Sequence, residues 1–536
     1  MYSSYSALQR NQLAGQEYFD TQSSYLLVYA PARHTALEAT LRDQLHRKFR
    51  LVPRLEGELT PGVDGVLLAA EDVECMSTAL MYFAKALQDG ADYVVSSAVF
   101  GFGGATVLYQ SPAHLARNRC VLVSRALLER CRAAAKDPES VTELLELAGQ
   151  LCTAPVRLGQ ALLHYERSIC AEDAFSAHGK RAFLMSHVLD MTGAPIVMTS
   201  AVPVLRSMGY EVVVLGPEDR GSAQLFVEAG AAVITRPGVR SDPSLWGLAL
   251  CADLVIVNTV VMARVIRALS GTAVPVLWWL HDAFAGYPHI AHQIPTSLGP
   301  NVRVYSVGSH AANAMHAVRP QFDIRPLIYG LPDYAQEQFS HYDLGYACGR
   351  PLFVTVGSFE RRKGHDIFCK AIRLLPPEVR EKASFLFVGQ AADQEMMAAV
   401  RSLTADFPQN TFYCKRLSRD EIKSLMEQCT CLVCASRDDP MPTFVTEGLI
   451  FGKPSIVSEH TGTAGLITEG VNGFVYPNDD SAELAKRLEW AIEHPEKLAS
   501  MRTDCRKLYE QYYSKEAFAL SLEQAVQSLA KACINR

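Results

Sequence analysis

The chain has 536 residues, more than one hydrophobic core usually supports, so its length predicts two or three domains. An apolar fraction of 49% and a charged fraction of 20% are typical of soluble globular proteins, and the net charge of -6 argues against nucleic acid as a partner. No stretch has the length of a membrane span, and the N-terminus is too polar for a secretory signal.

Fourteen cysteines without regular spacing favour a reducing cytoplasm. Cys431 and Cys434 form a CxxC without a second pair at zinc spacing, which indicates a buried strand.

Residues 25–170 alternate between short apolar strands and amphipathic helices, after a polar arm at residues 1–24. The segment TALE, which begins at Thr35, has the form of a capping box and predicts a helix that ends near Phe49. Two further helices are predicted to fill residues 122–165. The alternation of strands and helices predicts a small parallel-sheet α/β domain.

A polar linker is predicted at residues 171–180, and a second α/β system follows it. Its strands are continuously apolar, which is typical of parallel sheets covered by helices on both faces. The pattern breaks near residues 325–350 and then restarts. We therefore expect two doubly wound domains in tandem, at residues 181–345 and 346–515, with a C-terminal helix at residues 516–536. A ligand of such domains is expected in a cleft outside the carboxyl ends of the strands.

The segment DPMPTFVTE, from Asp439 to Glu447, places two carboxylates around a helix start. Thr443 is expected to be the N-cap, with Asp439 in the preceding loop and Glu447 in the second helical turn. Free amides near Thr443 and Phe444 suit a phosphate, and the carboxylates can accept hydrogen bonds from sugar hydroxyls. This arrangement is suited to a nucleotide-sugar.

A second motif, VGSFERRKG, places basic residues between a strand and a helix. Fixed cations at such a position can stabilise negative charge that develops on a bound group. Lys363 is the main candidate for this role. Arg361 or Arg362 is a candidate for the second cation, and Ser358 follows the glycine of the motif.

Weaker signals occur at other strand ends. Gly193 and Ala194 lie in a predicted strand-to-helix turn, and His281 ends an apolar strand with Asp282 beside it. Gly389 follows another strand. A polar loop supplies three further candidates, which are Thr461, Gly462 and Thr463.

Together these motifs resemble the family 4 glycosyltransferases of the GT-B fold, along the whole of residues 181–536. The resemblance implies that Glu447 binds the donor ribose, that Asp439 binds a donor-sugar hydroxyl, and that the amides at the helix start bind the diphosphate or sugar. It implies that Lys363 neutralises the diphosphate, whereas Ser358 stands where the family often has an arginine. Family 4 enzymes retain the anomeric configuration, and the departing phosphate helps to deprotonate the acceptor.

The same resemblance assigns roles to the weaker signals. It implies that Gly193 and Ala194 let the backbone approach donor or acceptor, and that His281 lies near the reacting sugar. It also implies that Gly389 lies near the nucleotide base of the donor and that the loop with Thr463 closes over the donor phosphates. No metal or other cofactor is implied for this site.

Residues 66–97, followed by residues 118–131 and 154–168, resemble the second half of a family 2 (GT-A) glycosyltransferase domain. That family has an Asp-x-Asp that binds a divalent metal and the donor diphosphate. The matching positions are Ala69, Ala70 and Glu71, with Asp72 next, so the first metal ligand is missing. We therefore expect a truncated, non-catalytic module for assembly or acceptor binding.

The resemblance to family 4 thus implies a metal-independent, retaining hexosyltransferase of polysaccharide biosynthesis or protein glycosylation. Its donor would be a UDP- or GDP-sugar, and its acceptor a glycan, a lipid-linked sugar or a protein. Two alternatives stay open: a bifunctional enzyme with an active N-terminal GT-A domain, and a non-catalytic sugar-nucleotide-binding or partner-stabilising subunit. Membrane contact is not supported, because no lysine occurs from Arg181 to Arg362. A homo-oligomer formed through the N-terminal module also stays open.

Overall fold

The chain forms two compact units, at residues 1–255 and 256–536. The predicted polar arm at residues 1–24 and the predicted linker at residues 171–180 lie almost wholly outside the described residues. The computed structural model describes residues 21, 23–32, 34–44, 46–70, 72–102, 106–110, 119–165, 179–343, 345–415 and 417–534.

The first unit is built from strands and helices in mixed order. Its described strands are β1 (Leu26–Tyr29), β2 (Phe49–Val52), β3 (Gly65–Ala69), β4 (Glu74–Cys75), β5 (Tyr93–Phe102), β6 (Thr106–Gln110), β7 (Cys120–Ser124), β8 (Pro155–Tyr165), β9 (Lys180–Met185), β10 (Leu189–Asp190), β11 (Tyr210–Gly216), β12 (Asp219–Arg220) and β13 (Ala232–Thr235). Its described helices are α1 (Thr35–Leu41), α2 (Ala79–Gln88), α3 (Arg125–Ala134), α4 (Val141–Leu151), α5 (Gly193–Thr199), α6 (Ala201–Ser207), α7 (Ala223–Glu228) and α8 (Pro243–Trp246).

The sheet of the first unit is mixed, whereas a parallel sheet was predicted for its N-terminal part. The strand order within the unit is β9-β11-β13-β6-β5-β7-β3-β1-β2, with β8 beside β5 and β4 beside β8. Strand β1 pairs in parallel with β2 and β3, but β7 pairs antiparallel with β3 and β5. Strands β5 and β6 are also antiparallel and are consecutive in the chain, and a short connection suffices for antiparallel neighbours.

The predicted helices of this unit are present, but two of the predicted helical regions extend too far. Helix α1 ends at Leu41, and Phe49 instead begins β2, where it pairs with Leu26 of β1. Residues 155–165 form β8, which pairs along β5, so only α3 and α4 occupy the region predicted as helical. In both places the pairing of strands distant in sequence overrides the local helical pattern.

The second unit contains the remaining elements, and β14 (Leu254–Asn258) crosses the division between the units. Its strands are β15 (Val276–Leu280), β16 (Val302–Ser306), β17 (Ile324–Pro326), β18 (Leu352–Val356), β19 (Ser384–Val388), β20 (Thr411–Cys414), β21 (Cys431–Cys434), β22 (Ser455–Ser458) and β23 (Gly473–Tyr476). Its helices are α9 (Ala263–Leu269), α10 (Ser309–His316), α11 (His365–Leu374), α12 (Pro377–Arg380), α13 (Gln394–Asp406), α14 (Arg419–Gln428), α15 (Thr443–Ile450), α16 (Ser481–Glu493), α17 (Pro495–Ser500), α18 (Arg502–Tyr512) and α19 (Lys515–Ile534).

Strands β18 to β23 form a six-stranded parallel sheet in the order β20-β19-β18-β21-β22-β23, which confirms the predicted α/β class. Strands β15, β16 and β17 are likewise parallel neighbours. Cys431 and Cys434 are both buried in β21, and burial raises the pKa of the Cys434 thiol to about 11, so they belong to the core. No helix in the described parts of the chain is long and apolar enough to cross a membrane.

Candidate active site

Lys363 and Asp439 form an ion pair at the carboxyl ends of two neighbouring strands. Lys363 ends the short 3-10 turn Arg361–Lys363 after β18, and Asp439 follows β21. Because β18 and β21 run parallel in one sheet, the segments that follow them start at the same edge. The Lys363 ammonium donates to Asp439 Oδ2 at 2.6 Å, and Asp439 is only 3% exposed. The structure therefore brings together the cation and the carboxylate that were predicted separately.

The second cation next to Asp439 is Arg362. Its Nη1 lies 4.0 Å from Asp439 Oδ2, and its Nη2 pairs with Glu360 Oε1 at 2.9 Å. Arg361 is exposed. Ser358 donates to the same Glu360 oxygen at 3.0 Å, so Glu360 connects the serine of the motif to Arg362. Of the two arginine candidates, Arg362 is the one that the structure places beside Asp439.

Arg437 fixes the turn that carries these cations, although no sequence motif indicated it. Its guanidinium donates to both carboxylate oxygens of Asp366 at 2.8 Å and to the backbone oxygen of Arg361 at 2.8 Å. Its backbone amide donates to the oxygen of Arg362 at 2.8 Å. Burial tends to raise the pKa of Asp366, but the hydrogen bonds from Arg437, together with the charges of Arg437 and Lys370, outweigh burial and lower it. A bidentate arginine–carboxylate pair is geometrically specific, so the turn is held rigidly.

The polar loop at Thr461 to Thr463 packs against the backbone of Asp439. The Gly462 amide donates to the Asp439 oxygen at 2.9 Å, and the Asp439 amide donates to the His460 oxygen at 3.1 Å. Both threonines of the loop are buried. The loop therefore supports Asp439 in this structure, and its predicted closure over the phosphates stays a prediction.

Glu447 lies in the second turn of α15, as predicted, and is paired with Arg419 of α14. The Arg419 guanidinium donates to Glu447 Oε1 at 2.8 Å and lies over the ring of Tyr334, 4.4 Å from its centroid. Burial tends to lower the pKa of Arg419, but the charges of Glu447 and Tyr334 and the hydrogen bonds to these two side chains together outweigh burial and raise it. Arg419 and Tyr334 are distant in sequence from the motif, so no local signal identified them.

The N-cap of α15 is Pro442, and Thr443 is the exposed first residue of the helix, so the predicted N-cap was one residue off. Proline has no amide hydrogen and is well placed at a helix start. The amides of Thr443 and Phe444 belong to the first turn, where an α-helix offers no internal acceptor. They present the partial positive end of the helix beside the loop that carries Asp439.

Gly389 directly follows β19, and a Cβ atom at this position would lie 1.8 Å from the backbone oxygen of Gly357. A side chain cannot be accommodated at that distance. The close approach of two backbone segments thus accounts for the glycine at this position. The position of Gly389 near the nucleotide base of the donor stays a prediction.

His281 and Asp282 follow the last residue of β15. The His281 ring lies 4.6 Å from the ring of Trp279. Asp282 Oδ2 accepts a hydrogen bond from the Val260 amide at 2.5 Å, and burial raises the pKa of Asp282 to about 6. Asp282 therefore anchors the segment that carries His281.

Gly193 and Ala194 begin α5 in the first unit, whereas the other predicted donor-site residues belong to the second. Gly193 is exposed, and a Cβ atom there would meet nothing within 4 Å. Asp190 Oδ1 accepts from the Thr192 amide at 3.0 Å and so organises the turn before the helix. Space alone does not require glycine at residue 193.

Asp72, at the end of the degenerate metal motif, has a structural role. Asp72 caps α1, since its carboxylate accepts from the amides of Ala36 and Leu37 at 3.1 Å and from the Thr35 hydroxyl at 3.2 Å. Ala69 is fully buried in β3. Glu71 lies outside the described residues. In the described part of the chain, no group of three or more His, Cys, Asp or Glu side chains is arranged to hold a metal ion.

Two family models match the chain. The model described as glycosyl-transferase family 4 matches residues 178–315, and the model described as glycosyl transferases group 1 matches residues 338–508. An uncharacterized glycosyltransferase of Methanocaldococcus jannaschii is 23% identical over 178 residues, which is 33% of this chain and 47% of the relative. The chain therefore spans about half the length of that relative.

Solved structures of similar fold include HepE of Anabaena, in complexes with UDP and with UDP-glucose. Both structures are 17% identical to this chain. The UDP complex has a TM-score of 0.54 and covers 65% of this chain, and the UDP-glucose complex has a TM-score of 0.53 and covers 66% of this chain. Sucrose-phosphate synthase of Thermosynechococcus elongatus has a TM-score of 0.52 and is 15% identical over 66% of the chain. Each of these three structures is matched over 100% of its own length. The family models and the fold together show that this chain belongs to the family 4 glycosyltransferases of the GT-B fold.

Proposed function

We propose that this chain is a retaining glycosyltransferase that moves a sugar from a UDP- or GDP-sugar to a hydroxyl group of a glycan, a lipid-linked sugar or a protein, without a metal ion. The observation that carries the proposal is the cluster of Lys363, Arg362 and Asp439 beside the start of α15. Two cations and free helix amides suit a diphosphate. The relatives solved with UDP and UDP-glucose support a nucleotide-sugar as the donor.

Each charged residue of the cluster has a role in this proposal. Lys363 and Arg362 bind the diphosphate, and Asp439 accepts a hydrogen bond from a donor-sugar hydroxyl once the diphosphate competes for Lys363. Glu447 accepts hydrogen bonds from the ribose hydroxyls, which replace the Arg419 guanidinium that pairs with it in the structure. His281 lies on the acceptor side of the reacting sugar.

The transfer breaks the bond between the anomeric carbon and the phosphate oxygen. A bond from the acceptor oxygen to the anomeric carbon forms on the same face, and the hydroxyl proton passes to the departing phosphate. The sugar keeps its anomeric configuration, and no protein nucleophile is required. Fixed cations stabilise the negative charge that grows on the leaving group, which is the contribution expected of Lys363 and Arg362.

A thermal-shift screen against UDP- and GDP-sugars tests the donor class. A ligand present at one hundred times its dissociation constant should raise the free energy of unfolding by about 2.7 kcal/mol. Glu447→Ala should abolish this shift and sugar transfer, whereas Glu493→Ala, at an exposed position of α16, should change neither. Lys363→Met should lower turnover by about 10²–10³-fold. A shift that survives Glu447→Ala would contradict the proposed site.

The same variants separate the two alternatives. Transfer that needs Mn²⁺ and survives Glu447→Ala would support an active N-terminal GT-A domain, although Asp72 serves as a helix cap in this structure. Donor binding without turnover on any acceptor would support a non-catalytic subunit. Slow donor hydrolysis that depends on Lys363 would count against such a subunit.

A further inference from the structure

The carboxylate of Asp438, the neighbour of Asp439 in the sequence, accepts hydrogen bonds from two distant segments. His310 Nε2 lies 2.7 Å from Asp438 Oδ1, and the Phe284 amide donates to the same oxygen at 3.1 Å. The Ala285 amide donates to Oδ2 at 2.8 Å. The side chains of Asp438 and His310 are 15% and 6% exposed. Hydrogen bonds to a largely buried carboxylate are among the strong ones in proteins, so this contact defines the local geometry.

The two amides belong to the 3-10 turn Phe284–Gly286, which begins three residues after His281. Asp282 lies between His281 and this turn in the sequence, and its carboxylate accepts a hydrogen bond from the Val260 amide at 2.5 Å. The segment from His281 to Gly286 is therefore held by one carboxylate at each end. Asp282 anchors its start, and Asp438 anchors the turn that follows.

Asp438 also contacts the cation cluster through its backbone. Arg362 Nη1 donates to the Asp438 backbone oxygen at 3.0 Å, and the next residue, Asp439, is paired with Lys363. Asp438 and Asp439 thus contact Arg362 and Lys363 on one side, and Asp438 contacts the segment from His281 to Gly286 on the other. Phe284 lies on that segment with 43% of its surface exposed, and its ring packs 5.1 Å from the His310 ring.

Several groups set the charge state of Asp438. Burial tends to raise the pKa of its carboxyl, but the hydrogen bonds from His310, Ala285 and Phe284 outweigh burial and lower it. The carboxylate is therefore ionised at neutral pH, which gives it acceptor oxygens for all three donors.

We propose that Asp438 is a positioning residue of the transfer reaction, whose carboxylate fixes the turn at Phe284 and Ala285 and thereby His281 relative to Lys363. This inference rests on the proposed function. Reacting groups must be kept close to their productive geometry, and a misplacement of about 1 Å can lower turnover by about 10²-fold. Asp438 would not touch the donor sugar or the diphosphate with its side chain.

The variant Asp438→Asn tests the proposal with almost no change of shape. Its amide nitrogen cannot accept a hydrogen bond, so at least one of the three donors loses its partner. Asp323→Asn is a matched control, because Asp323 also pairs with a cation, Arg325, but its side chain is 71% exposed. Both variants are made in the full chain.

The first measurement is hydrogen exchange of the backbone amides. In Asp438→Asn we expect exchange at Phe284, at Ala285 or at both to rise about tenfold, because the asparagine can accept a hydrogen bond at only one of the two positions and no longer carries a charge. Exchange in β18 and β21 should stay at the wild-type level, and the control variant should change neither region. Unchanged protection of the two amides would overturn the proposal.

The second measurement is turnover of a nucleotide-sugar, with UDP as the probe of binding. Asp438→Asn should lower kcat by about 10–100-fold and leave the dissociation constant of UDP within about twofold of wild type. An unchanged kcat, or a parallel loss of UDP affinity, would overturn a positioning role. If the wild-type chain turned over no nucleotide-sugar, the proposed function would fail, whereas the exchange result would still decide whether Asp438 fixes the turn.

Variants of His310 provide an independent route if Asp438→Asn folds poorly. His310→Gln keeps a side-chain donor for Asp438, whereas His310→Leu removes it. We expect the glutamine variant to keep most of the wild-type kcat and the leucine variant to lower it, with UDP affinity unchanged in both. Equal kcat values in the two variants would contradict the inference.

Discussion

Most charged side chains of the candidate site form ion pairs or hydrogen bonds with one another. His365, two residues after Lys363 in the sequence, differs from them because its ring nitrogens have no hydrogen-bond partner among the described residues. Its side chain is buried at the start of α11, against the rings of Phe359 at 4.7 Å and Phe387 at 6.4 Å. Burial and the nearby Lys363 charge lower the pKa of His365 to about 3.

This buried histidine predicts a loss of stability at acid pH. An unfolded histidine binds a proton near pH 6.5, whereas folded His365 does so only near pH 3, so the unfolded chain binds more protons between these values. The free energy of unfolding should therefore fall as the pH drops below 6.5. At pH 5 the loss from this residue is about 2 kcal/mol. Urea denaturation of the wild type and of His365→Leu, at pH 7 and pH 5, measures it.

The comparison of the two chains is needed because Asp282 acts in the opposite direction. The pKa of Asp282 is raised from 3.8 to about 6, so its folded form binds a proton first, and this residue favours the folded state as the pH falls from 6 towards 4. The difference between wild type and His365→Leu cancels the Asp282 contribution. An equal pH dependence in the two proteins would contradict a neutral, buried His365.

At the scale of the element, the turn that carries Lys363 depends on Gly364. This residue has a φ of +68°, and a Cβ atom there would lie 1.8 Å from the backbone oxygen of Ala435. A side chain would push the turn away from β21, after which Asp439 follows. Glycine thus permits both the left-handed conformation and the close approach of the two segments.

Gly364→Ala should therefore destabilise the chain and lower turnover. The left-handed conformation alone costs an alanine about 1–2 kcal/mol, and the clash with Ala435 adds to that cost. Gly345→Ala is a matched control, because Gly345 has the same φ of +68° but a Cβ atom there would meet nothing within 4 Å. Chemical denaturation should show that Gly364→Ala lowers the free energy of unfolding more than Gly345→Ala does. Equal losses would mean that the contact with Ala435 is not tight.

At the scale of the whole molecule, the N-terminal strands and the following α/β region are joined within the first unit. Strand β6 pairs antiparallel with β13, with Val233 opposite Tyr109 and Thr235 opposite Val107. All four residues of β13 are buried. The N-terminal region therefore covers an apolar strand that would otherwise be a sheet edge.

A chain that starts at residue 180 should consequently associate with itself. Removal of β6 leaves the backbone of β13 unpaired on one side, and unpaired apolar edge strands tend to pair with other chains. Light scattering should show oligomers or aggregates of the truncated chain, and its melting temperature should be lower than that of the full chain. A monomeric truncated chain with an unchanged melting temperature would show that this strand pairing contributes little.

The sequence was most informative where the signal is local. The alternation of apolar strands and helices predicted the parallel sheet from β18 to β23, and the spacing of Asp439 and Glu447 placed them in a loop and in the second turn of α15. It was least informative where distant strands pair, as at Phe49 and at residues 155–165. The boundaries at residues 181–345 and 346–515 stay predictions.

The sequence by itself indicated the family and the residue types of the candidate site, because Lys363, Asp439 and Glu447 lie in short motifs with fixed spacing. Only the tertiary structure showed that Arg362 lies beside Asp439 and that Arg419 pairs with Glu447. Only the structure showed, likewise, that Arg437 pairs with Asp366 and that Asp438 lies within hydrogen-bond distance of His310. The physical reason is distance along the chain. Hydrogen bonds and ion pairs between residues many positions apart leave no periodic pattern, whereas strand ends, helix starts and glycine turns are encoded by neighbours.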